Sequence, residues 1–347
     1  STVSYRIEGL KNEPQKFNNQ GPANLAIVLN YYGDDTTQAE AASYLKGSSQ
    51  DRNVSPWQIS EFVNKYTQLN AIASSNGSQE LLQELIANDF PVVIETGFEA
   101  ETASATSWSW YGHYRIIFGF DNMKQEYNTI DTFLGPFTEN DLNQSGWDIL
   151  ENGFIDPYDH LLTYWQQFNY TFYVVYEPTR QNELYAILGD DHVSSARNWE
   201  AAIDRAESDI AADPANAFAW FNLGTSLTNL GSETKQNIHF ENAAEAFDQA
   251  LSIGLPDRML WYQHGPFSAY IETGRYQDAL DLSDSLLTTA GGREIEEAWL
   301  YRGHAQALLQ DYEGALDSYD QAISLNERFY PAQFGKEYVE SLLSQDP

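Results

Sequence analysis

The sequence predicts an α+β domain over residues 1–178, a linker over 179–198 and an all-α repeat solenoid over 199–347. Two observations carry that division. Helical and strand-like stretches mix over the first half, helices leading and strands following, which suggests a largely antiparallel sheet. From about Trp199 the strand signals vanish and a period appears. Ala243, Ala279 and Ala315 are spaced 36 residues apart, as are Ala250, Leu286 and Ala322, and Phe247, Ser283 and Tyr319 follow the same step. Small residues recurring where paired helices touch, with aromatics one turn on, mark helix–turn–helix repeats.

In chain order, Ser1 opens a strand-like segment. Asn18 and Asn19 can then cap a helix that Gly21-Pro22 opens and that an apolar run over Ala23–Tyr32 continues, stopped at Gly33. Further helical patterns lie at Thr37–Leu45, Pro56–Tyr66 and Gln79–Asn88. Pro91–Phe98, Tyr114–Phe120 and Tyr170–Pro178 are short, β-branched and aromatic, with turn residues at most of their ends, and read as strands. Thr179–Arg197 is a short connection containing an apolar stretch.

The second half resembles tetratricopeptide repeats. Ala219–Gly231 carries Trp220, Leu223 and Gly224 and is followed by Ala243–Leu251; Ser268–Leu280 is a second signature; Ala298–Ile323 is the most complete. The first repeat departs by an insertion, Ser232–Ile238, between its helices, and the second puts Phe267 where the pattern wants glycine. Glu200–Pro214 reads as a capping helix. Trp220, Trp261 and Trp299 are expected in the core. Stacked repeats supply a concave groove that holds an extended peptide or a partner helix, unless the chain's own first domain fills it.

Composition narrows the function classes. Asp and Glu number 51 against 18 Lys and Arg, a net charge of −33, with acidic excess on both sides of residue 178. Such a surface repels phosphate backbones and anionic lipid, so no nucleic-acid partner is expected. It either solubilises the chain or favours basic partners. No apolar run approaches the roughly 18–20 residues of a membrane helix. The chain has no cysteine, which removes disulfides, thiolate metal sites and every thiol mechanism. The pairs Asp34-Asp35 and Asp190-Asp191 lack calcium-loop spacing, and no His pair suggests zinc, so neither metal nor cofactor is expected.

A nucleophile at a helix N-terminus, a distant histidine on a strand and a carboxylate orienting it form the general triad. His113, after a glycine at the head of the most convincing strand, fits the base; His160, among polar turn residues, reads as a surface histidine. Asp131 can return beside His113 through a strand and a turn and fix its tautomer. Gln15, five residues before Gln20, can aim an amide donor at a developing oxyanion. The residue at the helix mouth is Gln20.

Gln15–Gly33 together with Tyr111–Asn122 and Ile130–Pro136 resembles papain-like cysteine peptidases of the double-glycine leader peptidase type. More narrowly it resembles their C39-like relatives, exported bacterial members joined to tetratricopeptide repeats. The family pattern is Gln, then Asn-Asn-Cys-Gly-Pro-Ala; a Gly-His-Tyr strand; and an Asp before a Leu-Gly-Pro turn. Asn53–Tyr66 and Leu85–Gly97 also fit, and the resemblance covers residues 5–178. It implies a papain-like fold, an extracellular or cell-surface location, Gln15 as oxyanion donor, His113 as base and Asp131 as orienting acid. Gln20 falls on the nucleophile, and there the pattern breaks. A primary amide has no ionisable proton near neutral pH and cannot act as a thiolate. No Ser, Thr or Cys lies between Lys11 and Gly33 to replace it.

Three readings of Gln20 follow. A natural pseudopeptidase keeps its cleft, with Gln20 hydrogen-bonded to His113, and binds a peptide or protein without cutting it. Alternatively the domain is a scaffold or interaction module with a vestigial cleft. Or Gln20 stands in for a catalytic cysteine of an active peptidase. The first is the reading adopted as the expectation.

Overall fold

The structure, a computed structural model, describes residues 2–101, 108–134 and 149–344. Two compact units divide it: Ser1–Leu45 with Val54–Arg205, and Lys46–Asn53 with Ala206–Pro347. The predicted architecture is present, an antiparallel sheet with helices followed by paired helices.

The first unit runs β1 (Ser4–Arg6), α1 (Gln20–Tyr31), α2 (Gln38–Leu45), α3 (Pro56–Tyr66), β2 (Asn70–Ser74), α4 (Gln79–Ala87), β3 (Val92–Glu101) and β4 (Trp108–Asp121). It continues with β5 (Glu126–Ile130), α5 (Ile149–Asn152), β6 (Phe154–Pro157), α6 (Tyr158–Gln166) and β7 (Phe172–Tyr176). The sheet order is β2-β7-β3-β4-β5-β6, every pairing antiparallel, and β1 pairs with Gly119–Asp121 of β4. Every residue of α1 from Gly21 to Leu29 is buried, which is why its sequence is apolar all round instead of striped. A capping box between Ser55 and Gln58, with Pro56 in the first turn, starts α3.

Residues 179–198, read as a linker, are largely helical. α7 (Gln181–Leu188) puts Leu184 and Leu188 into the first unit's core; α8 (Asp190–Val193) and α9 (Ser195–Ala212) follow. Asn198 clamps the end of β2, accepting from the Ser75 N–H at 2.9 Å and donating to the Ser75 carbonyl at 2.9 Å. The apolar stretch noted in this connection packs on α4.

The second unit pairs α10 (Ala217–Thr234) with α11 (Asn237–Ile253). The expected insertion forms no loop; it lengthens both helices to a tight turn at Lys235, which adopts φ 58°. Next come α12 (Met259–Tyr262), α13 (Gly265–Glu272) and α14 (Tyr276–Thr288). The leading helix of this repeat is interrupted before Gly265, because Pro266 tolerates only a first-turn position. Phe267 does not lose the close packing: it is fully buried and stacks on Tyr301 at 5.1 Å, while Gly265 takes over the approach to Phe247. α15 (Glu296–Leu308), α16 (Tyr312–Leu325) and α17 (Tyr330–Leu343) complete the array. Trp261 is buried; Trp220 and Trp299 are half-buried, their indole N–H groups donating to the carbonyls of Pro214 at 3.0 Å and Arg293 at 3.1 Å.

Tyr319 is held between two glycines. A Cβ on Gly303 or on Gly335 would come within 2.6 Å of its ring. Gly303→Ala is therefore expected to push α15 off α16 and lower the second unit's stability by about 1–3 kcal/mol, read as an earlier helical unfolding transition in urea. An unchanged transition would mean that the Tyr319 ring has room to move.

Candidate active site

The loop before α1 carries Gln15, and Gln38 of α2 holds it. The Gln38 side-chain amide donates to Glu13 and to the Pro14 carbonyl (3.1 Å), and its oxygen accepts from the Lys16 N–H at 3.0 Å and from Asn19 at 3.3 Å. Gln38 is 2% exposed, and truncating it removes the four side-chain hydrogen bonds that tie the loop to α2. Gln38→Ala is expected to lower the local stability of the loop by about 1–3 kcal/mol, seen as faster hydrogen exchange at Lys16 and Asn19. Exchange rates equal to those of the parent chain would show that the loop is held otherwise. Asn19, expected as a side-chain cap, is not one; its amide is spent on Gln38. Asn18 takes the left-handed conformation, φ 52°, that lets the chain turn into α1.

Gln20 is the first residue of α1. Its side-chain amide is hydrogen-bonded to Nδ1 of His113 on β4, and Nε2 of His113 to a carboxylate oxygen of Asp131 at 2.8 Å. This chain assigns the tautomer: Nε2 carries the proton toward Asp131, and Nδ1 accepts from Gln20. His113 is 4% exposed, and Phe98 of β3 stacks on its ring at 4.7 Å with Phe133 edge-on to Phe98 at 6.2 Å. Asp131 follows β5. Burial alone would raise its carboxyl, but the charge and hydrogen bond of His113, the Arg115 guanidinium and the Phe133 N–H outweigh it, so the carboxyl titrates below its ordinary value. Arg115 lies 3.6 Å from Asp131 and 2.8 Å from Asp156 of β6, which also accepts from the Thr129 hydroxyl at 2.6 Å.

Gln15 does not touch that triad. Its N–H donates to the Thr132 carbonyl at 2.9 Å and its side-chain oxygen accepts from the Thr132 hydroxyl at 2.9 Å. Asn24 of α1 in turn donates to that hydroxyl at 3.2 Å. With its oxygen fixed, the amide NH2 is the end left to donate, as an oxyanion position requires. His160 is half exposed and 3.7 Å from Asp156, away from the triad. Gly135 and Pro136, part of the third motif, lie outside the described residues.

Arg115, Asn24, Thr132 and Gln38 were not singled out from the sequence. Only Arg115 left a signal there: two residues past His113 on a strand, it shares that histidine's face. Among the described residues no cluster of three His, Asp or Glu is placed to hold a metal ion, and no helix is long and apolar enough to cross a membrane.

Residues 10–172 match the model of the Peptidase_C39 like family, and residues 296–329 match that of the tetratricopeptide repeat. Among solved structures the chain is similar to a C39-like peptidase from Bacillus anthracis, 14% identical over 50% of this chain and 98% of that one, at a TM-score of 0.37. No curated protein matches the chain.

Proposed function

From a chain that joins a C39-peptidase-like domain to tetratricopeptide repeats, we propose a non-catalytic pseudopeptidase that binds a peptide or protein partner through its cleft, with the repeats as a second interaction surface. One observation carries this reading. The Gln20 amide sits where the nucleophile would be and donates to His113 Nδ1, the lone pair a general base would use. The base is therefore occupied by a group that cannot attack a carbonyl. An amide nitrogen has its lone pair delocalised, and the dipole at the start of α1 does not change that. The partners of a peptidase mechanism are assembled around an inert residue, leaving recognition as the chemistry the cleft supports.

The test is a mixed pool of extended peptides incubated with the full chain, with both products and retained peptides read by mass spectrometry. The expected outcome is a retained subset and no cleavage, with His113→Ala changing retention modestly and having no activity to remove. Hydrolysis that disappears in His113→Ala would overturn the pseudopeptidase reading. A pool neither cut nor retained would leave the first domain as a scaffold.

A further inference from the structure

Arg115 of β4 is a largely buried cation that stands outside the Gln20–His113–Asp131 chain. Two residues past His113, it shares that histidine's sheet face. Its Nη1 donates to Asp156 of β6 at 2.8 Å, and the same carboxylate oxygen accepts from the Thr129 hydroxyl at 2.6 Å. Its Nε lies 3.6 Å from the Asp131 oxygen that bonds His113. Arg115, Asp131 and Asp156 are all largely buried, so solvent and salt screen them little from one another.

The guanidinium divides its contacts unevenly. Its Nε–H is buried without a hydrogen-bond partner, an exception among buried donors that calls for an explanation. At 3.6 Å that group acts on Asp131 through charge, without a hydrogen bond. A shorter contact would compete with His113 for the one oxygen that both approach. The other Asp131 oxygen is spent on the Phe133 N–H at 2.8 Å. Asp156 and Thr129 thus hold Arg115 where it offsets the Asp131 charge and leaves the His113 hydrogen bond intact. That charge is felt at Asp131: burial raises its carboxyl, but His113 and then Arg115 help draw it below its ordinary value.

We infer that Arg115 is a positioning residue for the cleft: anchored by Asp156 and Thr129, it offsets the charge of Asp131 and so keeps His113 neutral, its Nδ1 lone pair turned to Gln20. The inference deepens the proposed function and rests on its reading of Gln20 as the group that occupies the base. An uncompensated carboxylate 2.8 Å from the ring would draw a second proton onto His113. That proton would fall on Nδ1, the atom that accepts from Gln20. The charged and titratable groups facing Arg115 are Asp131, Asp156 and the Tyr164 phenol of α6, itself bonded to Glu99. His160 of α6 faces Asp156 from the far side at 3.7 Å.

The test follows the His113 ring nitrogens of the full chain by NMR as pH is varied, with His113→Ala identifying their signals. A His160→Gln background removes the second histidine of this network from the titration. Arg115→Met deletes the charge and Arg115→Lys keeps it. Arg115→Met combined with Asp156→Asn deletes the pair without stranding a buried carboxylate. The expected result is a neutral His113 protonated at Nε2 in the parent and in Arg115→Lys at pH 7.5. In Arg115→Met the titration midpoint of His113 moves up by about one pH unit, and in the double variant it moves the same way by less. A midpoint that stays put in Arg115→Met, or in the double variant should the single one not fold, overturns the inference. Failure of both to fold overturns it too, since Arg115 would then serve the fold alone. The readout uses no peptide. A cleft that retains none refutes the proposed function and leaves the role of Arg115 to be decided by the His113 midpoint.

Discussion

Gln20→Cys is expected to label with a peptide electrophile about ten- to thirtyfold faster than a free cysteine at pH 7, and to cut peptides that the parent chain only binds. The argument is positional. A thiol at the first residue of α1 meets the positive end of a helix and the ring of His113, and both favour the thiolate. A free thiol is a few per cent ionised at pH 7; lowering its pKa by one to two units accounts for the expected gain. Asp131 already fixes the His113 tautomer, and Thr132 already turns the Gln15 amide to present its NH2 end. On the proposed reading, only the nucleophile is missing. Gln20→Cys combined with His113→Ala should lose the acceleration while keeping the thiol, which separates activation from exposure. If Gln20→Cys folds correctly yet labels no faster than a surface cysteine, the cleft geometry is not that of a peptidase. The domain then serves to carry the repeats.

What the sequence makes legible is what has a period or a motif. Strands β3, β4 and β7 announce themselves by β-branched and aromatic runs, and the repeats by small residues at a fixed step. β2, Asn70–Ser74, is a run of small and polar residues whose strand character comes from pairing with β7, which no local pattern records. Helix α6, Tyr158–Gln166, hides behind the turn-like Asp156-Pro157 that precedes it. The triad pair His113 and Asp131 was legible because strand, turn and strand is the shortest way to bring the two together. Gln38, Asn24 and Thr132 were not, because buried amides and hydroxyls that position other groups look like any polar residue until their partners are known. Glu95 was hidden for the same reason, one carboxylate among 51 acidic residues until burial set it apart.

That burial also makes the stability of the first unit depend on pH between about 4.5 and 8. The Glu95 carboxyl holds a proton more tightly in the fold, at about 8, than its ordinary value of 4.5. Protonation therefore favours the folded state. The contribution is complete below pH 4.5, declines as the unfolded chain ionises, and is gone once pH has passed through about 8. The difference amounts to at most roughly 5 kcal/mol, a large share of an ordinary domain's stability. Glu95→Gln cannot ionise, so its stability should be flat over that window and should exceed the parent's at pH 8. The second unit has groups of the same sign: burial and the nearby Asp51 push Glu296 up to about 7, so a whole-chain melting curve would mix the two. Hydrogen exchange at β3 and β7 amides, compared between parent and Glu95→Gln at pH 5 and pH 8 after correction for intrinsic rates, isolates the first unit. A parent chain whose sheet protection falls between these pH values, beside a variant whose protection does not, identifies the buried acid as the cause. Equal slopes in both would mean that Glu95 finds compensation in the folded state.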